Sequence, residues 1–221
     1  MPARPYLPVA LNPRGRSAII VGGGEPAYFK VGYLTEFGLA TSVLASPDWE
    51  FDERLAEAAR AGAITLLREP YTPDHLHGHW LAVISTGDRT RDHAIAADAQ
   101  ARHMLVNVVD DPEHCDFFAA GYVKRGPVSI AVSTGGVSAG FSAALTDRLA
   151  GLFGPELEQH VEHYRAWRVL VRASLDDAHD RERLWRELRA AGLYDVLRRD
   201  GPEAARALVE ARVAEFTATS G

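Results

Sequence analysis

Ser17-Ala-Ile-Ile-Val-Gly-Gly-Gly-Glu-Pro-Ala-Tyr-Phe-Lys30 decides how the rest of this chain is read: an apolar run ends in three glycines and a helical pattern starts at once. Gly22, Gly24 and Ala27 fit G-x-G-x-x-G/A. In that pattern the first glycine permits a tight turn, the second lets backbone approach a pyrophosphate, and the small third residue packs helix against strand. Phosphate is drawn to the positive end of such a helix, so Gly22, Gly23, Gly24, Glu25, Pro26 and Ala27 are the candidates to hold a dinucleotide. The same residues also suit a plain strand-to-helix turn. Their position directly between a strand and a helix favours the nucleotide.

Outward from this stretch the pattern keeps alternating. Gly38 closes the first helix, residues 41–45 read as a second strand, 52–61 as a helix ended by Gly62, and 63–67 as a third strand. Residues 80–85 and 104–109 are two more apolar strands, with a helix over 89–102 between them. Such alternation predicts an α/β fold with a parallel sheet and covering helices. Ligands of open α/β sheets bind beyond the carboxyl ends of the strands. Thr86, Gly87 and Asp88 form a second turn at that edge, and Asn107-Val-Val-Asp-Asp-Pro112 delivers Asn107, Val109 and Asp110 to it. Asp111-Pro112 reads as a turn cap. Asp110 sits where a carboxylate can exchange protons with a bound substrate, or where it only shapes the turn; the pattern leaves both open. No acid closes the second strand to grip a ribose hydroxyl. Ser46 and Asp48 are the substitutes, and the absence of a nearby arginine in the sequence favours NAD over NADP. His75, His77 and His79 alternate like a metal comb, but no cysteine or carboxylate cluster completes a site, so the reading is a polar surface loop.

At Phe117 the rhythm breaks. Residues 117–124 and 128–134 are β-like runs joined by Arg125-Gly126-Pro127, a hairpin rather than another βαβ unit. Ser133-Thr-Gly-Gly-Val-Ser-Ala-Gly140 then offers either backbone amides for carboxylates or a hinge, before a helix over 141–153. Residues 156–173, 180–191 and 202–216 carry apolar positions three and four apart, as helices do. The arginines between 181 and 199 alternate with acids, as on a solvated helix face. Three segments follow: 1–113, a nucleotide-binding domain; 114–153, the hairpin region; and 154–221, a small helical C-terminal domain.

Composition narrows the class. Hydrophobic residues at 47% and charged residues at 24% are globular values and exclude a disordered chain. A net charge of −6 argues against a nucleic-acid binder, which needs a basic face. The apolar runs are too short to span a membrane, and the amino terminus lacks a signal-peptide core. A single cysteine, Cys115, fits a reducing compartment, so the expected location is cytoplasmic.

Four pieces in this order resemble the precorrin-2 dehydrogenases, which also form the N-terminal part of siroheme synthases, some of which are sirohydrochlorin ferrochelatases as well. They are Val21-Gly-Gly-Gly24 with Ala27 and Lys30, Ser85-Thr86-Gly87-Asp88, Asn107-Val-Val-Asp110, and Val132-Ser-Thr-Gly-Gly136 with Ser138. Asn-Val-Val-Asp followed by Ser-Thr-Gly-Gly is much more specific than the glycine fingerprint. The resemblance implies a Rossmann-like domain, a β-hairpin dimerisation region through which two chains interlock as a homodimer, and a helical domain. It implies NAD-dependent oxidation of precorrin-2 to sirohydrochlorin, with Asp110 as the catalytic acid/base group. It also implies a tetrapyrrole substrate bearing many carboxylates, for which Lys124, Arg125, Thr134, Gly135, Gly136, Ser138 and Arg148 are the candidate contacts. Where members also insert metal, Fe2+ or Co2+ would be a substrate, Asp110 could serve again, and His114 is the nearest additional ligand or base. The chain departs from the family at Pro26, where valine is common, and at Phe29, where a basic residue is common. Thr134 replaces serine, Ala139 replaces proline, and Asp92 replaces a frequent asparagine. These departures keep open a relative that binds nucleotide or tetrapyrrole without turnover, as a sensor or carrier.

Overall fold

A computed structural model describes residues 6–219. The chain divides into two units: one runs to Ala120 and includes Ser133–Gly140, the other holds Gly121–Val132 and everything from Phe141 onward. The hairpin and the last helices therefore belong to one unit, while the Ser-Thr-Gly-Gly loop goes with the nucleotide-type unit.

In the first unit, β1 (Ser17–Val21), β2 (Ala40–Leu44), β3 (Thr65–Leu67), β4 (Leu81–Ile84) and β5 (Leu105–Val108) form one sheet in the order β3-β2-β1-β4-β5. Every pairing is parallel. Each strand lies within two residues of its sequence expectation at either end. A parallel sheet must be covered on both faces, and the strand period of two sorts β1 accordingly. Ile19 and Val21 join Ile84, Ile95, Ala99 and Val106 in one buried cluster. Ala18 and Ile20 join Val31, Leu34, Val43 and Leu55 in another. Thus α3 (Arg89–Gln100) covers one face, and α1 (Glu25–Glu36) with α2 (Glu53–Arg60) covers the other.

The edge strand β5 is closed by the segment that follows it, through side chains and one backbone bond, rather than by another strand. Val106 N donates to Asp116 Oδ2 at 3.0 Å, Asp116 N to Val106 O at 2.8 Å, and Val108 N to Cys115 Sγ at 3.3 Å. This explains a difference from the sequence expectation. Residues 115–117 are spent along β5, so β6 starts only at Gly121. The alternate histidines have separate partners: His75 Nε2 meets Glu69 at 2.9 Å, whereas His77 faces Asp74 at 3.6 Å.

In the second unit, β6 (Gly121–Arg125) and β7 (Val128–Val132) pair antiparallel. A β-carbon on Gly121 would stand 2.5 Å from Thr146 Oγ1, so glycine lets α4 (Ala139–Leu152) approach the strand closely. The helices α5 (Glu156–Ser174), α6 (Ala178–Ala190), α7 (Leu193–Asp200) and α8 (Pro202–Thr219) follow. Trp167, Val171, Leu184, Leu188, Leu197 and Val209 are among the residues of their shared core. The sequence reading missed α7, which Gly192 opens in the left-handed conformation at φ 72°. A cleft of about 630 Å³ lies in this unit, lined by Tyr164, Trp185, Arg189 and Tyr194. Among the described residues, no helix is long and apolar enough to cross a membrane.

Candidate nucleotide site

The strand register ends β1, β4 and β5 together. Val21 pairs with Leu44 and Ile84, and Ile84 pairs with Val108. Backbone bonds carry the ladder one residue further: Gly22 N to Leu44 O at 2.9 Å, Ser85 N to Val21 O at 2.8 Å, and Val109 N to Ile84 O at 2.9 Å. The strand order reverses between β1 and β4, which is where an open α/β sheet forms its ligand crevice. Val109 is thereby fixed by its backbone at the crevice edge.

The bend after β1 tolerates no side chains at two positions. Gly22 has φ +146°, and a β-carbon there would lie 2.2 Å from Ser85 O. One on Gly23 would lie 2.7 Å from Glu50 O. Gly24 is the N-cap of α1 and supplies no side-chain cap, so nothing from that residue covers the helix start. Pro26 sits in the first helical turn, where its missing N–H breaks no intrahelical bond. Ala27 is fully buried against the sheet. The Ser85 hydroxyl is closed off from solvent and makes no hydrogen bond, and it lies 2.8 Å from where a β-carbon on Gly22 would be. A buried hydroxyl left unpaired is costly. The bare bend and the unspent hydroxyl both fit the pyrophosphate of an NAD(P) cofactor. Glu50 opposes it, since its carboxylate would be 3.4 Å from a β-carbon on Gly24.

Beyond β2, buried Ser46 gives its hydroxyl to Asp48. That hydrogen bond, then the backbone and Arg91, hold the Asp48 carboxyl below its usual range. The sequence suggested no arginine near this position. The fold brings one: Arg91, from α3, stacks over Trp49 with its guanidinium carbon 4.9 Å from the ring centroid.

At the second turn, Thr86 donates from N at 2.9 Å and from Oγ1 at 2.7 Å to Oδ1 of buried Asp92. Gly87 takes φ 82°, and Asp88 caps α3 by accepting from Arg91 N at 3.0 Å. Asp92, which the sequence marked only as a departure, is the anchor of this turn. Asn107 is buried and donates from Nδ2 to Phe117 O at 3.0 Å. Its visible role is to hold the segment that closes β5.

Asp110 follows β5 with an exposed side chain and φ 58°. Positive φ is uncommon for a residue other than glycine and clusters at functional sites. Half-buried Lys30 on α1 feels both Asp110 and Cys115; burial lowers its pKa, and these two neighbours oppose that shift. His114 pairs with Asp111, Nδ1 lying 3.0 Å from Oδ2. His93 first and His114 next hold the Asp111 carboxyl down at about 2, with Arg89 adding to them against burial.

The Ser-Thr-Gly-Gly loop is internally tied. Thr134 Oγ1 donates to Ser138 O and accepts from Ser138 N, both at 3.1 Å. Gly135 and Gly136 take φ 62° and 80°, and a β-carbon on Gly136 would meet the Phe118 ring at 2.9 Å. The basic candidates lie in the second unit. Arg125 Nε donates to Phe153 O at 3.2 Å, Lys124 is half-buried on β6, and Arg148 is exposed on α4.

A family model described as "Putative NAD(P)-binding" matches residues 9–120. Siroheme synthase 1 of Pectobacterium atrosepticum is 33% identical over 183 residues, which are 83% of this chain and 38% of that protein. The siroheme synthase of Chromobacterium violaceum is 33% identical over 209 residues, 95% of this chain and 44% of that one. The chain thus spans less than half the length of these relatives. Among solved structures, SirC, a precorrin-2 dehydrogenase, superposes with a TM-score of 0.67 at 21% identity, covering 93% of this chain and 99% of that one. This likeness establishes the shared fold.

Proposed function

Because this chain belongs to the NAD(P)-binding family, we propose that it uses NAD to oxidise precorrin-2 to sirohydrochlorin. One observation carries the proposal: the glycine bend after β1 and the Asp110 carboxylate after β5 share one end of a sheet whose strands stop in register. The printed names of the relatives and of SirC supply the substrate class.

NAD, when bound, supplies a hydride acceptor. Gly22, Gly23, Gly24 and the first turn of α1 would hold its pyrophosphate, with the free Ser85 hydroxyl beside them. The Thr86–Gly87–Asp88 turn, made rigid by Asp92, would wall the crevice. The preference for NAD over NADP rests on Asp48 and Ser46 alone, as acceptors for ribose hydroxyls beyond β2, because Arg91 beside Asp48 offers a 2′-phosphate a cation. Asp110 takes the proton that leaves the macrocycle as it loses a hydride. Its exposure and positive φ support that role, and Lys30 keeps positive charge nearby as the carboxylate turns over.

The candidates to hold carboxylates of the tetrapyrrole are, in the first unit, the amides of Gly135 and Gly136, with Thr134 and Ser138 shaping the loop, and, in the second unit, Lys124, Arg125 and Arg148. The hairpin of β6 and β7 is the element assigned to a homodimer, with the protein in the cytoplasm. Insertion of Fe2+ or Co2+ as a substrate would again use Asp110 to accept pyrrole protons.

Purified protein mixed with precorrin-2 and NAD should form NADH and sirohydrochlorin in equal amounts. Tight binding of either ligand with neither product formed would replace the enzyme by a sensor or carrier.

A further inference from the structure

We propose that His93, Asp111 and His114 form a binding site for one divalent transition-metal ion of the zinc and cobalt class. The inference goes beyond the dehydrogenase reading and does not depend on it. His93 is on the second turn of α3, while Asp111 and His114 bracket the single 3-10 turn Pro112–His114 that follows β5. The fold therefore brings together residues 18 positions apart in sequence.

The geometry is that of a ligand set drawn onto one point. His93 Nε2 lies 2.6 Å and His114 Nδ1 3.0 Å from the same atom, Asp111 Oδ2. One ligand atom from each of the three residues falls within 4.8 Å of the other two. The two imidazoles stack with centroids 3.9 Å apart and planes 19° apart, so both present a ring nitrogen to the carboxylate from the same side. Asp111 is buried, whereas the histidine side chains are 37% and 40% exposed.

Hydrogen bonding alone leaves this cluster unfinished. His114 Nδ1 is closed off from solvent and, although 3.0 Å from Asp111 Oδ2 and paired with it by charge, is not aligned to hydrogen-bond to it. Oδ2, meanwhile, is crowded by both rings and by Arg89 Nη1 at 3.2 Å. A metal ion would give that closed-off ring nitrogen a partner, and it would take over the positive charge that Arg89 provides. Two imidazoles with one carboxylate suit zinc, cobalt or nickel rather than magnesium or calcium, which require oxygen ligands. Three protein ligands leave a fourth position open. Arg89 is 64% exposed, so solvent can receive its guanidinium if an ion displaces it from Asp111 and from the Asp110 carbonyl.

The test is titration of chelator-stripped protein with Co2+, with NAD and tetrapyrrole absent, followed by visible ligand-field absorption and displacement by Zn2+. One Co2+ per chain with the intense bands of a low-coordinate site is expected, with no response to Mg2+. The double variant His93→Gln/His114→Gln should weaken binding by about a hundredfold or more, and its circular dichroism should match the parent. Asp110→Asn should keep the cobalt spectrum, which separates this site from the proposed catalytic carboxylate. Arg89→Gln should tighten binding several-fold, since it removes a competing cation; a purely structural cluster would gain nothing from that change. Absence of cobalt bands in the parent protein, their survival in the double variant, or weaker binding in Arg89→Gln would overturn the proposal.

Discussion

A β-carbon on Gly22 would lie 2.2 Å from the carbonyl oxygen of Ser85, so the first glycine of the bend is required by the joint between β1 and β4 before any ligand arrives. Gly24 differs: its φ is −80°, and an added β-carbon would come no nearer than 3.4 Å to the Glu50 carboxyl and 3.6 Å to Pro26 Cδ. Gly22→Ala is therefore expected to lower stability by at least about 2 kcal/mol, through backbone strain and overpacking together. Gly24→Ala should stay within about 1 kcal/mol of the parent yet bind NAD about tenfold more weakly, because its methyl occupies the path of the pyrophosphate. Urea denaturation and NAD titration of the two variants check the contrast.

Asp92 uses a single oxygen, Oδ1, to hold both the amide and the hydroxyl of Thr86. A neutral amide carbonyl can accept the same two bonds. Asp92→Asn should thus change stability little, whereas Asp92→Ala should cost about 1.5–3 kcal/mol, the usual range for hydrogen bonds to a charged group. If asparagine is as damaging as alanine by chemical denaturation, the carboxylate charge matters more than its geometry.

Removing the proposed proton acceptor should act on turnover and spare binding. Asp110→Asn keeps the size of an exposed side chain, and asparagine tolerates the φ of 58° found there. Dehydrogenation of precorrin-2 should fall by about 10²–10⁴-fold, with NAD affinity unchanged within a factor of two. Full activity in this variant would dismiss Asp110 from the chemistry.

The sheet was legible because local signals coincide with the fold. The buried run of β1 and the Asp88 cap of α3 are set by neighbours a few residues away, and the glycines after β1 mark the turn by themselves, although it is distant Ser85 and Glu50 that leave no room for a side chain on Gly22 and Gly23. The segment after Asp110 was not legible in this way. Asp111 looked like a turn residue, and its partner His93 lies on α3, a contact that no sequence spacing encodes. Asp92 and Lys30 were visible as motif positions, but their work depends on where α3 and α1 dock. Arg91 next to Trp49 and Asp48 was hidden for the same reason. The helix α7 was obscured by arginines that suited one long solvated face, until Gly192 at φ 72° divided it from α6.

His79 provides a pH dependence that can be isolated. The ring is half-buried between the turn after Leu76 and β4, and its Nδ1 is closed off from solvent without a partner. Burial lowers its pKa, so the folded protein resists a proton that the unfolded chain accepts near 6.5. As pH falls below that unfolded value, the unfolded state takes up the proton first and stability declines. The decline ends once pH passes below the depressed value of the folded state, where both states are protonated. Above about pH 7.5 His79 is neutral in both states and contributes no slope. Replacing it by glutamine should therefore leave stability at pH 8 close to that of the double-neutral parent, apart from a constant offset, and flatten the loss between pH 6.5 and the acid limb. Urea midpoints of parent and His79→Gln measured in parallel across this range give the difference directly. An unchanged slope would mean that His79 is protonated as readily in the fold as out of it.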